Sequence, residues 1–317
     1  MRRLLITGAS GLLGLNLAFV AAGAGKAPGF EVTGLVHSHF LNGVPFEVRA
    51  VDLSRFDALA GVLEEIRPEI LINCAALTNL DAIEADPGPA QRLNAELPGY
   101  LAKECHQRGI RFVHISTDAV FDGLRGGYTE EDTPVPPNAY ARTKLAGEHA
   151  VMTESSEAIV ARVNFFGWSI SGQRSLAEWF LNNLLAGRPV KGFNDIIFCP
   201  LLANQLAELL LQMIEKPLCG LFHVVSRDSL SKYEFGLALA RQFHLNKELI
   251  QPASYQEATM LARRSPNMTL RTEKLAKALG KSLPDVASGI QRFYELYQEG
   301  YLQRIRSFLS DSSIRSL

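Results

Sequence analysis

The chain predicts an α/β fold with a doubly wound parallel sheet, and three stretches carry that prediction. Residues 3–7 form a short apolar run that passes into Gly8-Ala-Ser-Gly11-Leu-Leu-Gly14 and then into a helical pattern at 15–21, the strand, glycine turn and helix of a phosphate-binding unit. Residues 70–76, Ile-Leu-Ile-Asn-Cys-Ala-Ala, are almost continuously apolar, as a central parallel strand covered on both faces must be. Residues 113–118, Val-His-Ile-Ser-Thr-Asp, read as another buried strand whose carboxyl end carries hydroxyls, the place where open parallel sheets put their polar chemistry.

The first turn sets the cofactor expectation. Gly8, Gly11 and Gly14 permit a tight turn and close backbone approach, and the helix after them offers unpaired N–H groups to a pyrophosphate. A glycine-rich link at 23–28 leads to a second strand at 30–36. Val36, His37, Ser38 and His39 follow, with no carboxylate before Glu47. A site for NAD places an acid here on the adenosine ribose. Without one a 2′-phosphate is not repelled, and His37 and Ser38 can hydrogen-bond it, so NADP is expected over NAD. A third strand at 46–51 ends at Asp52 and Leu53, a natural contact for adenine, with a plain turn role for Asp52 equally open. A helix at 58–67 is closed by Pro68. The small residues Cys74, Ala75 and Ala76 let a nicotinamide ribose or phosphate approach the backbone. Thr78, Asp81 and Glu84 precede a long helix at 89–108 that carries Asn94.

The stretch 137–148 opens a helix on which Tyr140 and Lys144 lie one turn apart and rise from the same face. A phenol has an ordinary pKa of about 10, and a nearby ammonium lowers it by favouring phenolate. Tyr140 is then a candidate general acid, with Ser116 or Thr117 polarising the carbonyl that it protonates. Tyr-x-x-x-Lys arises often by chance; the hydroxyl-tipped strand and the glycine turn give it weight. The linker 121–137 is rich in Gly and Pro and long enough to frame a site.

A strand at 158–163 resumes the sheet, for five or six strands in all. Helices are expected at 175–187, 201–215 and 232–243, a strand at 220–226, and a helical stretch at 283–301 before a tail that frays after Arg306. Residues 1–163 thus read as a cofactor-binding domain, and 164–317 mainly as a smaller mixed α/β substrate-binding part, with segments in 190–226 returning to the first. The arginines of 262–271 suit planar or phosphate-bearing ligands, or equally a solvated loop.

With 317 residues, 47% of them hydrophobic, the chain can bury a substantial core. Thirty-two Lys and Arg against 33 Asp and Glu leave no bulk attraction to nucleic acid or membrane, and neither partner is expected. Cys74, Cys105, Cys199 and Cys219 lie far apart without Cys-x-x-Cys spacing, which argues against a metal site or a disulfide framework. A strand that starts at once leaves no room for a signal peptide, and no unbroken apolar run approaches about 18 residues. A cytoplasmic location is expected, and a homodimer stays open.

With Thr7-Gly-Ala-Ser-Gly-Leu-Leu-Gly14, Asn73-Cys-Ala-Ala-Leu-Thr78, Ser116-Thr-Asp-Ala-Val-Phe-Asp-Gly123 and Tyr140-Ala-Arg-Thr-Lys144-Leu-Ala-Gly-Glu148 in order, the chain resembles the extended short-chain dehydrogenase/reductases, and within them the dTDP-4-dehydrorhamnose reductase family. The resemblance implies a Rossmann-like domain and hydride transfer from NADPH to the C4 ketone of a nucleotide-linked deoxysugar. Thr117 falls at the family's catalytic hydroxyl, Tyr140 would protonate the new alkoxide, and Lys144 would hold the nicotinamide ribose and depress the Tyr140 pKa. Carried over position by position, the cofactor would meet Gly8, Ser10, Gly11, Leu12, Leu13, Gly14, His37, Ser38, Asp52, Leu53, Cys74, Ala75, Ala76, Thr78, Asn94 and Ser116. The sugar nucleotide would meet Thr117, Asp118, Val120, Phe121, Asn164, Arg264 and Asn267. The family usually has Tyr where this chain has Ala119, and Arg-Pro-x-Asn-Ser-x-Leu-Asp where it has Arg264-Ser-Pro-Asn-Met-Thr-Leu-Arg271. Both departures bear on the sugar pocket and leave the cofactor chemistry untouched.

Two other functions share these residues. An epimerase or dehydratase would keep its nicotinamide bound and cycle the hydride back, but a dehydratase favours Glu after Asp118, where this chain has Ala119. The chain is also similar to the regulatory subunit of methionine adenosyltransferase, a binding partner with the same fold and cofactor site. Retention of Thr117, Tyr140 and Lys144 favours catalysis.

Overall fold

A computed structural model describes residues 1–23, 29–37, 41–257 and 262–309. Most of the expected glycine-rich link, residues 24 to 28, and the expected contact of Ser38 lie outside the described residues.

Six parallel strands follow one another as β1 (Arg2–Thr7), β2 (Phe30–Val36), β3 (Glu47–Ala50), β4 (Ile70–Asn73), β5 (Arg111–Thr117) and β6 (Ile159–Val163). A seventh, Gly220–Val224, pairs parallel to β6, so the sheet runs seventh strand, β6, β5, β4, β1, β2, β3. The chain builds outward from β1 in one direction and from β4 in the other. Their carboxyl ends therefore flank the crevice where a doubly wound sheet receives its ligand. The expectation of five or six strands is corrected to seven, because the last one arrives from a distant part of the chain.

The helices are α1 (Leu12–Ala21), α2 (Phe56–Ile66), α3 (Leu80–Ala85), α4 (Gly88–Ala90), α5 (Leu97–Arg108), α6 (Ala139–Glu154), α7 (Leu176–Leu185), α8 (Ala203–Ile214), α9 (Lys232–Gln242), α10 (Glu273–Leu279), α11 (Val286–Gln298) and α12 (Tyr301–Arg306). Alternation along the strands sends side chains to opposite faces. Leu4, Ile6, Val113 and Ile115 join one apolar core with Leu17 of α1, Leu206 of α8 and Ile290 of α11. Leu5, Leu71, Phe112 and Val160 join a second with Leu63 of α2, Leu101 of α5 and Val151 of α6.

Three expectations change in detail. β4 ends at Asn73, and Cys74, Ala75 and Ala76 leave the sheet as an irregular tail. The single helix expected at 89–108 is instead α4, a π-helical turn Gln91–Glu96, and α5. The helical stretch at 283–301 is broken into α11 and α12 by Gly300, which adopts a φ of 72°. The short α3, capped by the Asn79 side chain, was not anticipated.

Residues 262–271 are sewn onto the linker after β5. Asn267 N–H donates to the Gly123 carbonyl (3.1 Å), Tyr128 N–H to Thr269, and Arg271 N–H to Tyr128. The Ser265 hydroxyl reaches the Phe121 carbonyl at 2.7 Å. No described helix is long and apolar enough to cross a membrane.

Candidate active site

The helix that carries Tyr140 starts where it does because Asn138 caps it. Its side-chain oxygen accepts from Ala141 N–H at 2.9 Å, and its amide nitrogen donates to the Arg263 carbonyl at 2.7 Å, tying the helix start to the later strap. At the end of β5, Thr117 Oγ1 accepts from Ala119 N–H (3.2 Å) and donates to Asp118 Oδ1 (3.1 Å), which fixes its rotamer over the crevice. The Tyr140 phenol lies close to the Thr117 side chain. Burial pushes the phenol up to about 12, against the opposing effect of the neighbouring Thr117 hydroxyl.

Lys144 is 2% exposed, and its ammonium donates to the Ile115 carbonyl at 2.6 Å while lying 3.4 Å from His114 Nε2. Burial brings it down to about 8, opposed by the Glu148 carboxylate. The expected depression of Tyr140 by Lys144 is therefore corrected: the ammonium is held by the strand backbone, and desolvation governs the phenol. Behind Lys144 runs a buried polar row that sequence reasoning missed. Thr7 donates to Asn73 Oδ1 (2.6 Å), and the Asn73 amide nitrogen lies 3.1 Å from His114 Nδ1. Burial and the neighbouring ammonium hold His114 far below the usual histidine range. Alternation placed His114 and Ser116 on one face of β5, which was the available signal.

Ser116 is corrected as a side-chain cofactor contact. Its hydroxyl donates to Glu148, which is also bound bidentately by Arg162 with a closest approach of 2.7 Å, all within the interior. Tyr140, Lys144 and Glu148 are successive turns of α6. The first two face the crevice, and the third is anchored to β6 through Arg162.

The cofactor expectations converge better. Gly8, Ser10, Gly11, His37, Asp52, Leu53, Cys74, Ala75 and Ala76 line one cleft, together with Leu35, Leu77, Leu93 and Arg174. The turn has no room for side chains. A Cβ on Gly8 would come within 2.9 Å of the Ala75 backbone, and one on Gly14 within 2.2 Å of the Gly8 carbonyl oxygen. A bare backbone turn, a helix N-terminus and an apolar slot beside a polar edge fit a dinucleotide. Asp52 takes the turn role weighed for it, Ser54 N–H and Oγ donating to it at 3.0 and 2.7 Å, and it lies on the edge of the cleft. Leu13 and Gly14 are buried and act through packing and backbone. Asn94 is corrected: its amide exchanges two hydrogen bonds of 2.9 Å with the Leu77 backbone, so it shapes the cleft's floor from behind. Thr78 is exposed beyond the lining.

On the substrate side, Asn164 donates to Asp118 Oδ2 at 2.6 Å, and burial raises Asp118 to about 6 despite that bond. Lys232, at the start of α9, adds positive charge near Asp118, and Arg264, whose guanidinium lies 3.7 Å from Asp81, adds charge near Lys232. Burial and then Arg264 lower Lys232, and Asp118 opposes them. Lys232 was missed because an isolated Lys in a helix start carries no signal of its own. Val120 and Phe121 are corrected: both are fully buried with Tyr128, Cys199, Val225 and Leu270, Phe121 stacking on Tyr128 at 4.1 Å. Asn267 is corrected as well. Its side chain accepts from Thr269 N–H and Oγ1, and a Cβ on Gly126 would meet it at 2.3 Å, so it clasps the linker.

A doubly wound sheet with a glycine-turn cleft at its reversal point, and a Thr, Tyr and Lys group beside that cleft, define an extended short-chain dehydrogenase/reductase. The chain belongs to the RmlD substrate binding domain family, which matches residues 1–299. It is 32% identical over 284 residues to the probable low-salt glycan biosynthesis reductase Agl14 of Haloferax volcanii, covering 88% of this chain and 93% of that one. A dTDP-4-dehydrorhamnose reductase of Aggregatibacter actinomycetemcomitans is 28% identical over 293 residues, 88% of this chain and 94% of the other. Methionine adenosyltransferase 2 subunit beta of Rattus norvegicus is 30% identical over 293 residues, 86% and 81%. Among solved structures, a hypothetical dTDP-4-dehydrorhamnose reductase from Sulfolobus tokodaii superposes with a TM-score of 0.79 at 28% identity, over 90% of this chain and 98% of that one. The Bacillus anthracis dTDP-4-dehydrorhamnose reductase in complex with NADP gives 0.79 at 25% identity, over 93% and 99%.

Proposed function

We propose that this protein is an NADPH-dependent reductase of a nucleotide-linked 4-keto-deoxysugar, similar to dTDP-4-dehydrorhamnose reductase, working through Thr117, Tyr140 and Lys144. The observation that carries it is the placement of Thr117, at the carboxyl end of β5, next to Tyr140, one helical turn from a buried ammonium and beside the glycine-turn cleft.

The nicotinamide supplies hydride when bound. Thr117, once its proton turns from Asp118, and Tyr140 would supply two hydroxyls to a carbonyl oxygen gaining negative charge, stabilising it better than water does. Tyr140 then gives its proton to that oxygen. At about 12 the phenol is fully protonated at neutral pH, so the acid form is the resident one. Lys144 keeps a positive charge under the site. Gly8, Gly11 and the first turn of α1 would hold the pyrophosphate, and His37 the 2′-phosphate side of the adenosine.

Functionally, residues 1–163 form the cofactor unit and 164–317 the substrate part, with chain from 190–226 contributing to the first unit through the Gly220–Val224 strand. Cysteines without a metal or disulfide pattern support a cytoplasmic site of action.

The test is loss of the reduced-nicotinamide absorbance when the purified protein meets NADPH, or NADH, with dTDP-4-dehydrorhamnose. Oxidation of NADPH in preference to NADH is expected. Tight NADPH binding without turnover of this or related keto-sugars would overturn the reductase reading and favour a regulatory subunit.

A further inference from the structure

We propose that Arg174 is the cation that closes the cofactor cleft over the dinucleotide's pyrophosphate. The proposal rests on the cofactor reading above and adds a residue from the substrate part of the chain. After β6 the chain crosses back over the amino end of α1. Asn16 of α1 donates to the Trp168 carbonyl at 3.0 Å.

The loop that follows is locked by one buried carboxylate. Glu178 accepts from Ser169 N–H and Oγ, both at 2.7 Å, and from Arg174 N–H and Ser175 N–H, both at 3.0 Å. Ser175 returns a bond to Glu178 N–H, completing a capping box at α7. An arginine on a free surface loop would carry no argument. Here the backbone of Arg174 is pinned, and the residue, exposed to solvent, lines the cleft with Gly8, Ser10 and Gly11.

Among the described residues no carboxylate pairs with the Arg174 guanidinium. The cleft's other ionisable groups are the Cys74 thiol, whose pKa burial pushes up, and, at the adenosine end, His37 and Asp52, the latter bonded to Ser54. An unpaired planar cation therefore faces the turn where backbone N–H groups already favour an anion. The helix terminus supplies fractional charge and single donors; a guanidinium supplies a full charge and a fork matched to phosphate oxygens. The bond from Asn16 to the Trp168 carbonyl ties this segment to the helix that faces the pyrophosphate, whereas a 2′-phosphate would lie toward His37 at the end of β2. The chain thus grips the diphosphate from two sides, from α1 below and from the segment after β6 above.

The test is calorimetric or fluorescence titration of the full chain and its R174Q and R174K variants with NADPH, NADH and adenosine 2′-monophosphate, at low and high salt. R174Q is expected to weaken NADPH and NADH by a similar factor, on the order of tenfold or more, to flatten the salt dependence, and to leave the 2′-monophosphate unchanged. R174K should recover part of the loss. Unchanged dinucleotide affinity in R174Q overturns the proposal, and so does a loss confined to NADPH, which would make Arg174 a reader of the 2′-phosphate. A wild-type protein that binds neither dinucleotide would instead overturn the cofactor reading on which the proposal stands.

Discussion

A buried phenol at about 12 keeps its proton firmly, so the Tyr140 step depends on Thr117 and on positive charge nearby at the moment of transfer. Tyr140→Phe is expected to cut the reduction rate by about 10²- to 10⁴-fold, the usual worth of a positioned acid, while NADPH affinity, read by titration, stays near wild type. A variant that keeps full turnover would remove Tyr140 from the chemistry. Lys144 gives a pH dependence with a definite sign. Its pKa is depressed from 10.5 to about 8, so the ammonium is present below that value and lost above it. The reduction rate should therefore fall as pH rises through about 8, and a kcat profile flat across that value would count against a role for its charge. For stability the sign is opposite. The neutral amine is the form that burial favours, so Lys144's favourable contribution is present above 10.5 and disappears as pH falls through about 8. The reacting groups were legible in sequence because one helical turn sets their spacing. The partners of Ser116, Asn94 and Asn267 were not, since each is chosen by a residue brought near only by folding.

Elements meet here at distances that leave no slack. Gly147 lets α6 press against the π-helical turn, where an added Cβ would lie 2.1 Å from the Asn94 carbonyl oxygen. Gly147→Ala should destabilise the fold by about 1–3 kcal/mol, the common cost of overpacking. It should also weaken NADPH binding, because Asn94 holds the Leu77 edge of the cleft. Thermal melting and titration together check this, and a melting temperature equal to wild type would show that the two helices can part without cost. Alternating and continuous apolar runs made β2 and β5 readable to within a residue or two. The π-helical turn was not readable, since no local propensity distinguishes it from the α-helix that runs through it on either side. The tail after β4 was mistaken for strand because small apolar residues suit a sheet and a close-packed cleft equally well.

Across the whole molecule, the Glu148 and Arg162 pair joins α6 to the sheet in a place nearly closed to water, with the side chains 4% and 3% exposed. Removing one partner strands the other's charge. Glu148→Ala should cost about 3–5 kcal/mol, seen as a lower denaturant midpoint, and a midpoint shift below about 1 kcal/mol would class the pair with exposed ones. The sheet's two-way winding was legible from the alternation of runs and turns, and the strand at 220–226 was read as well, but its place beside β6 was not, because the partner is chosen only by folding. That late strand has a consequence for biosynthesis. β6 leaves the ribosome with one flank bare, and its partner follows only after on the order of 60 further residues, several seconds at about 5–20 residues per second. During that interval the nascent protein presents an unprotected template for pairing with neighbouring chains. Newly made copies are therefore most vulnerable to aggregation before Gly220–Val224 emerges, and a shortage of chaperones should reduce the yield of this protein more than its finished stability would suggest.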